Sequence, residues 1–161
     1  MQVEVDDIVL GSLILRISEL PIPPSINQLY FTKGGRRILT ADGRIYKDCI
    51  KSALAELGSN AKDLEIPELH NHKLSIRMDF FLGRVENKSW SSGKTQTRFK
   101  KVDISNRVKV LEDALVEGLG IDDSQFFNMF ISKSLVQDGK PDYVNIHLYS
   151  LEAHENNGTR H

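Results

Sequence analysis

Residues 73–82, KLSIRMDFFL, alternate apolar and polar side chains and so decide the class of fold. Leu74, Ile76, Met78, Phe80 and Leu82 recur at every second position. A period of two is typical of a β-strand that buries one face. The remaining predicted elements lie on either side of this strand in the sequence.

Upstream of that strand, the sequence predicts a first strand, a hairpin and a helix. Residues 13–17 alternate as a strand, and the prolines from Pro21 onward end it because proline cannot donate to a sheet ladder. Residues 28–32 and 37–40 flank a Gly-Gly pair, which favours a tight hairpin turn. Residues 42–57 carry apolar side chains at spacings of three and four, which predicts a helix that stops at Gly58.

Downstream, residues 83–101 have no apolar period and predict a long exposed loop. A second helix is predicted from Asp103 to about Glu117, with Gly118 and Gly120 as its exit. Two further strands follow, around Met129 and around Ile146, and residues 137–142 are interpreted as the hairpin turn between them.

This order predicts an α+β fold: a single compact domain with a mixed β-sheet and two main helices packed on it. The domain is expected to span residues 1–150, with a core over about 13–149, and residues 151–161 are expected to form a polar C-terminal tail.

The composition is that of an ordinary globular domain. The 161 residues are 40% hydrophobic and 27% charged, which is enough for a core without cross-links. Cys49 is the single cysteine, so an internal disulfide is impossible, and no signal-peptide pattern is recognised, so a cytoplasmic location is expected. The most apolar stretch, residues 8–17, is too short and interrupted to span a bilayer, so no membrane association is expected.

The net charge of −1 does not by itself indicate nucleic-acid binding, but cations are concentrated in two segments. One is the predicted hairpin tip, and the other is the predicted loop of residues 84–101, which also contains Trp90 and Phe99. Lysine and arginine hold phosphates while aromatic rings stack on unpaired bases. The alternative is that these side chains are simply solvated. The predicted DNA contacts are Lys33, Arg36, Arg37, Arg84, Lys88, Lys94, Arg98, Lys100 and Lys101.

Acidic residues bracket the second predicted helix. Asp103 stands at its start, and Asp122 and Asp123 stand just past its end. A helix of about 14 residues is about 21 Å long, so the chain must return beside the helix for Asp123 to approach Asp103. Asn106 and Lys109 fall on the same side of the helix as Asp103. Carboxylates suit Mg²⁺, and a nearby lysine neutralises charge on a scissile phosphate.

Each of these residues also has a structural interpretation. Asp103 is a favourable helix N-cap, Lys109 and Asp113 are spaced as a surface ion pair, and the Asp122–Asp123 pair suits a plain turn.

Four motifs occur in register along the chain. They are P-P-S-I-N-Q-L-Y at residues 23–30, T-A-D-G-R-I-Y-K-D at 40–48, D-I-S-N-R-V-K followed by E-D-A-L over 103–115, and G-I-D-D-S-Q at 120–125. In order and rough spacing, over about residues 13–149, the chain resembles the RusA family of Holliday-junction resolvases.

The resemblance implies a Mg²⁺-dependent endonuclease, with Mn²⁺ as a substitute, that resolves four-way DNA junctions in recombination and repair. It further implies a homodimer. By the resemblance, Asp103 and Asp123 bind the metal, Asp122 belongs to the acidic site, and Lys109 is catalytic. The supporting residues are Ser105, Asn106 and Asn27.

One position departs from the family pattern. Ser105 stands where the best-known members have a second aspartate, and a hydroxyl is a poor Mg²⁺ ligand. Three possibilities stay open: the metal has fewer anionic ligands, another acid such as Asp79 or Glu112 contributes, or activity is weakened. Two rival functions follow, a catalytically weakened or inactive junction-binding module and a metal-dependent hydrolase of nucleotides or other nucleic acids.

Overall fold

The computed structural model describes residues 11–60, 69–83, 104–136 and 140–151. The main sheet consists of β1 (Ser12–Pro21), β4 (Leu74–Leu82), β5 (Phe126–Leu135) and β6 (Tyr143–Ser150). A hairpin of β2 (Tyr30–Lys33) and β3 (Arg36–Leu39) forms a separate two-stranded sheet. The helices are α1 (Ile26–Leu29), α2 (Ala41–Asn60) and α3 (Ser105–Leu119), with short 3₁₀ turns at Leu69–Asn71 and Asp123–Gln125.

The strand that the alternation at residues 73–82 predicts is present as β4, and it is an interior strand of the sheet. The sheet order is β1-β6-β4-β5, and β4 pairs with antiparallel β6 on one edge and parallel β5 on the other. The prediction of an α+β domain with a mixed sheet and two main helices is confirmed. The predicted β5–β6 hairpin is wrong, because β4 lies between those two strands. Parallel pairing of β4 with β5 instead requires a crossover, and α3 supplies it.

The core lies between one face of the sheet and the two long helices. Cross-strand register sets Ile76 beside Leu148 and Met78 beside Ile146, and all four are at most 2% exposed. From α3, Leu111 reaches the same cluster and is fully buried. Since successive side chains of a strand alternate in direction, the polar residues between these apolar ones lie on the other face of the sheet.

Helices α2 and α3 pack closely at the C-terminal end of α3. A Cβ added at Gly118 would lie 2.5 Å from Leu54 Cδ1, so glycine permits the approach. Beside it, Lys47 and Lys51 of α2 bind the carboxylate of Glu117 at 2.8 and 2.7 Å. The hydrogen bond from Lys47 lowers the pKa of Glu117 to about 2.

The hairpin confirms the Gly-Gly prediction, since Gly34 and Gly35 have φ of 57° and 75°. Thr40 then joins the hairpin to α2: its hydroxyl accepts from the Gly43 N–H at 3.2 Å and donates to the Gln28 carbonyl at 3.0 Å. Helix α2 continues to Asn60, beyond the stop predicted at Gly58.

No helix in the described part of the chain combines the length and apolarity needed to cross a membrane. The predicted loop of residues 84–101 and the tail from residue 152 lie outside the described residues, as do residues 137–139.

Candidate active site

Helix α3 carries the predicted catalytic lysine in its second turn. Ser105 is its first residue, and Ile104 occupies the N-cap position without a side-chain cap. The N-cap position expected for Asp103 is therefore held by Ile104, and because Asp103 lies outside the described residues, its metal-binding role stays a prediction. Asn106 is half-buried, whereas Ser105 and Lys109 are exposed.

The chain returns along α3 after the helix ends, as the predicted approach of Asp123 to Asp103 requires. Gly120 ends the helix in the left-handed region, at φ 65°. Ile121 is 8% exposed and donates its N–H to the Val116 carbonyl at 3.2 Å, which turns the chain back. The result is that Asp123 Oδ2 lies 3.4 Å from Lys109 Nζ, although the two residues are 14 positions apart.

Lys109 is the centre of an acidic cluster. Its Nζ lies 3.1 Å from Asp113 Oδ1 and 3.4 Å from both Glu112 Oε2 and Asp123 Oδ2. The hydrogen bond with Asp113 is the main reason that the pKa of Lys109 is raised above its usual value. Lys109 is therefore a cation at neutral pH, suited to neutralise phosphate charge and unsuited to act as a general base. The predicted Lys109–Asp113 ion pair is present, and it coexists with the contact to Asp123.

Asp122 has a local structural task. Its carboxylate accepts from the Ser124 N–H at 2.9 Å, and its own N–H donates to Gln125 Oε1 at 2.9 Å. These two bonds form a capping box around the 3₁₀ turn. The hydrogen bonds from Ser124 lower the pKa of Asp122. The turn role of Asp122 is thus present, and its role as a metal ligand stays a prediction.

Gln125 anchors the turn that presents Asp123. Its Nε2 donates to the carbonyls of Leu69 and His72 at 2.7 and 3.0 Å. Sequence reasoning quoted Gln125 within a motif without giving it a role. The Asp-x-x-Gln spacing of a capping box is the signal that identifies it.

Asp79 and Glu112, the two acids that could supply the carboxylate missing at Ser105, lie on different sides of the sheet. Asp79 is 6% exposed and accepts from Arg77 Nε at 2.8 Å and Ser132 Oγ at 2.5 Å. Its neighbours in β4, Met78 and Phe80, face α3, so Asp79 lies on the opposite face of the sheet. Glu112 lies on α3 beside Lys109, on the same side as Asp123.

The donors around Lys109 fit a hard divalent cation in chemistry, since Asp123 and Glu112 offer carboxylate oxygens. Asp123 is 56% exposed and accessible to ions and substrate. Within the described ranges, no three His, Cys, Asp or Glu side chains are grouped suitably for a metal ion. The missing predicted ligand, Asp103, is outside those ranges.

The P-P-S-I-N-Q-L-Y segment of residues 23–30 contacts α3 through Arg107, a residue for which the sequence predicted no role. The Arg107 guanidinium donates to the Pro23 carbonyl, which attaches the P-P-S segment and α1 to the first half of α3. Asn27 of α1 is exposed, and its N–H donates to Ser25 Oγ at 3.4 Å. No hydrogen bond joins Asn27 to Lys109 or Asp123 in the described part of the chain, so its supporting role stays a prediction.

The predicted DNA contacts divide into two groups. Lys33, Arg36 and Arg37 are exposed at the tip of the β2–β3 hairpin, as expected. The others lie outside the described residues and remain predictions: Arg84, Lys88, Lys94, Arg98, Lys100 and Lys101.

Comparison with known proteins agrees with the motifs and the geometry. A search of curated proteins found no significant match. The family model of the RusA endodeoxyribonucleases matches residues 21–148, which include the hairpin, both long helices, the Lys109 cluster, strands β4 and β5 and most of β6. The chain therefore belongs to the RusA endodeoxyribonuclease family, a family of Holliday-junction resolvases.

Proposed function

We propose that this protein is a structure-selective endonuclease that resolves four-way DNA junctions by Mg²⁺-dependent hydrolysis of phosphodiester bonds, in DNA recombination and repair in the cytoplasm. The observation that carries the proposal is the 3.4 Å approach of Asp123 to Lys109 in a chain of the RusA family. Family members generally depend on divalent metals, and Mn²⁺ is the expected substitute.

Asp123 and Asp103 would hold the metal, and Glu112, which lies beside Lys109, would compensate for Ser105. A divalent metal there would polarise the phosphoryl group and lower the pKa of a water molecule. Lys109 would bind a phosphate oxygen, and its raised pKa keeps it protonated throughout the neutral range. Gln125 would hold the turn so that the Asp123 carboxylate stays beside that cation.

When DNA binds, Lys109 should exchange a carboxylate partner for a phosphate oxygen. Without substrate, its ammonium is shared among three carboxylates at 3.1–3.4 Å. With a divalent cation held by Asp123, that carboxylate would bind Lys109 less strongly, and the lysine ammonium would be available to a phosphate oxygen. The exposed position of Lys109 allows this exchange with little rearrangement.

The test is cleavage of a labelled synthetic four-way junction in Mg²⁺, Mn²⁺ or EDTA, with a linear duplex as control. Wild type should produce paired, metal-dependent nicks in the junction alone. Asp123→Asn should abolish cleavage and leave binding intact or tighter, because a negative charge beside phosphate has been removed. Asp48→Asn, an exposed aspartate of α2, is the matched control and should cleave as wild type does. Junction binding without cleavage in any metal would instead select the inactive binding module.

We further propose that the protein acts as a homodimer through the free edge of β5. In the described residues β5 pairs only with β4, and Phe127, Met129, Ile131 and Leu135 are all exposed. A strand edge can pair with its own copy about a two-fold axis, which matches a two-fold junction. Ile131→Glu should then convert a dimer to a monomer in sedimentation and uncouple the paired nicks. A dimer that persists in this variant would exclude β5 as the interface.

A further inference from the structure

The β2–β3 hairpin has one face directed to the core and one directed away from it. Tyr30 and Leu39 are opposite each other and pack against the core. Arg37 lies on this inner face too, with its guanidinium 4.6 Å from the centroid of the Tyr30 ring. Side chains alternate along a strand, so the outer hairpin face consists of Phe31, Lys33, Arg36 and Ile38.

The outer hairpin face contains a pair of like charges that destabilises the fold. Lys33 and Arg36 are directly opposite each other, and like charges in that position destabilise a hairpin. In the described part of the chain, no carboxylate forms an ion pair with either cation. Phe31, two pairs farther from the turn and on the same face, is 47% exposed. An exposed ring beside two cations that no described carboxylate neutralises matches a ligand that has both an aromatic surface and negative charge.

The same charges argue against a second copy of the chain as the occupant. Two outer hairpin faces brought together would bring four cations together. A nucleic-acid strand is complementary, because its phosphates neutralise lysine and arginine while an unstacked base offers a flat π-surface to phenylalanine.

The hairpin is also joined to the candidate active site. Its first strand follows directly from α1, and the preceding segment is held to α3 by the bond from Arg107 to Pro23. Leu29, at the end of α1, is 2% exposed and fixes the base of the hairpin in the core. A four-residue strand extends about 13 Å, so the hairpin tip can contact a DNA arm beyond the cleavage site.

We propose that the outer hairpin face recognises the branch point of the DNA, with Phe31 stacked on an unpaired base and Lys33 and Arg36 bound to the flanking phosphates. This inference rests on the proposed function and adds to it a source of structural selectivity. An intact duplex has no free base face, whereas a branch point exposes bases to an incoming ring.

The experiment measures binding in EDTA, so that cleavage plays no part. The probes are a four-way junction with 2-aminopurine at the branch point, a linear duplex, and a single-stranded oligonucleotide. Phe31→Ala should weaken junction and single-strand binding about tenfold and leave duplex binding unchanged, since base stacking on an aromatic ring contributes on this order. Wild type should change the 2-aminopurine fluorescence, and Phe31→Ala should not.

Three variants accompany this one. Phe31→Trp keeps an aromatic ring and should bind as wild type does, whereas Phe31→Leu keeps only apolar surface and should bind as Phe31→Ala does. Leu13→Ala removes another exposed apolar side chain, on β1, and should change nothing.

The charge contribution has its own signature. Lys33→Gln combined with Arg36→Gln should weaken binding to junction and duplex alike. It should also reduce the slope of log affinity against log salt by about two units, one for each lost phosphate contact.

The outcomes separate this inference from the proposed function. Junction binding by Phe31→Ala at wild-type strength, or by Phe31→Leu without loss, would overturn the stacking role. If wild type does not bind the junction but binds single strands through Phe31, the resolvase proposal is wrong and the role of the hairpin as a base-stacking surface is retained. Absence of binding to every probe would overturn both.

Discussion

Lys109→Met tests whether the lysine at the centre of the acidic cluster is functional or structural. Methionine keeps an unbranched side chain of high helix propensity but removes the charge. Each of the two contacts within α3, with Glu112 and Asp113, contributes about 0.2–0.5 kcal/mol. The third, to Asp123, is an exposed pair that contributes about 0.2–1 kcal/mol. Since Lys109 is 45% exposed, we expect a total loss of unfolding free energy of about 1 kcal/mol.

The expected loss of activity is much larger. Removal of one group that stabilises charge in a transition state lowers the rate by about 10²–10³-fold. Single-turnover cleavage of a four-way junction measures this, and urea denaturation measures the stability. Lys51→Met is the matched control, because Lys51 is 46% exposed and binds Glu117 at 2.7 Å outside the site. It should lose similar stability and no activity. Cleavage by Lys109→Met within a few-fold of wild type would refute the catalytic role, and a loss above about 3 kcal/mol would make the lysine structural.

Three further predictions concern the core, the contact between α2 and α3 at Glu117, and the turn that presents Asp123. Phe80→Ala should lower the unfolding free energy by about 3–5 kcal/mol in urea denaturation, because Phe80 is fully buried, and a loss below about 1 kcal/mol would contradict the packing. Glu117→Gln should cost up to about 1 kcal/mol at pH 7, since the pair is half-exposed. Because the pKa of Glu117 is lowered to about 2, this contribution is complete above its usual value of 4.5 and lost as pH falls to about 2, so wild-type and variant stabilities should converge there. Gln125→Ala removes the two hydrogen bonds from Nε2 to the Leu69 and His72 carbonyls and should cost about 1–3 kcal/mol. It should also slow junction cleavage without weakening junction binding, and wild-type cleavage rates would show that Asp123 needs no such anchor.

Local patterns predicted the elements well because their causes are local. The alternation at residues 73–82, the Gly-Gly pair and the spacing of apolar residues in both long helices each identified an element that the structure contains. Strand pairing was predicted less well. The sequence proximity of β5 and β6 favoured a hairpin, but the most buried strand, β4, pairs with both. Pairing depends on which apolar faces can be buried together, and this involves residues far apart in the chain.

The sequence by itself determined the chemistry available to this protein: the α+β composition, the acidic residues around one helix, the lysine at its second turn, and the family to which the motifs belong. Only the tertiary structure decided which groups meet. It joined Asp123 to Lys109, separated Asp79 from them by the sheet, gave Gln125 a positioning task, and turned Phe31 outward beside two cations. These outcomes depend on the left-handed turn at Gly120 and on the face to which each strand residue points, since both bring together side chains that the sequence keeps apart.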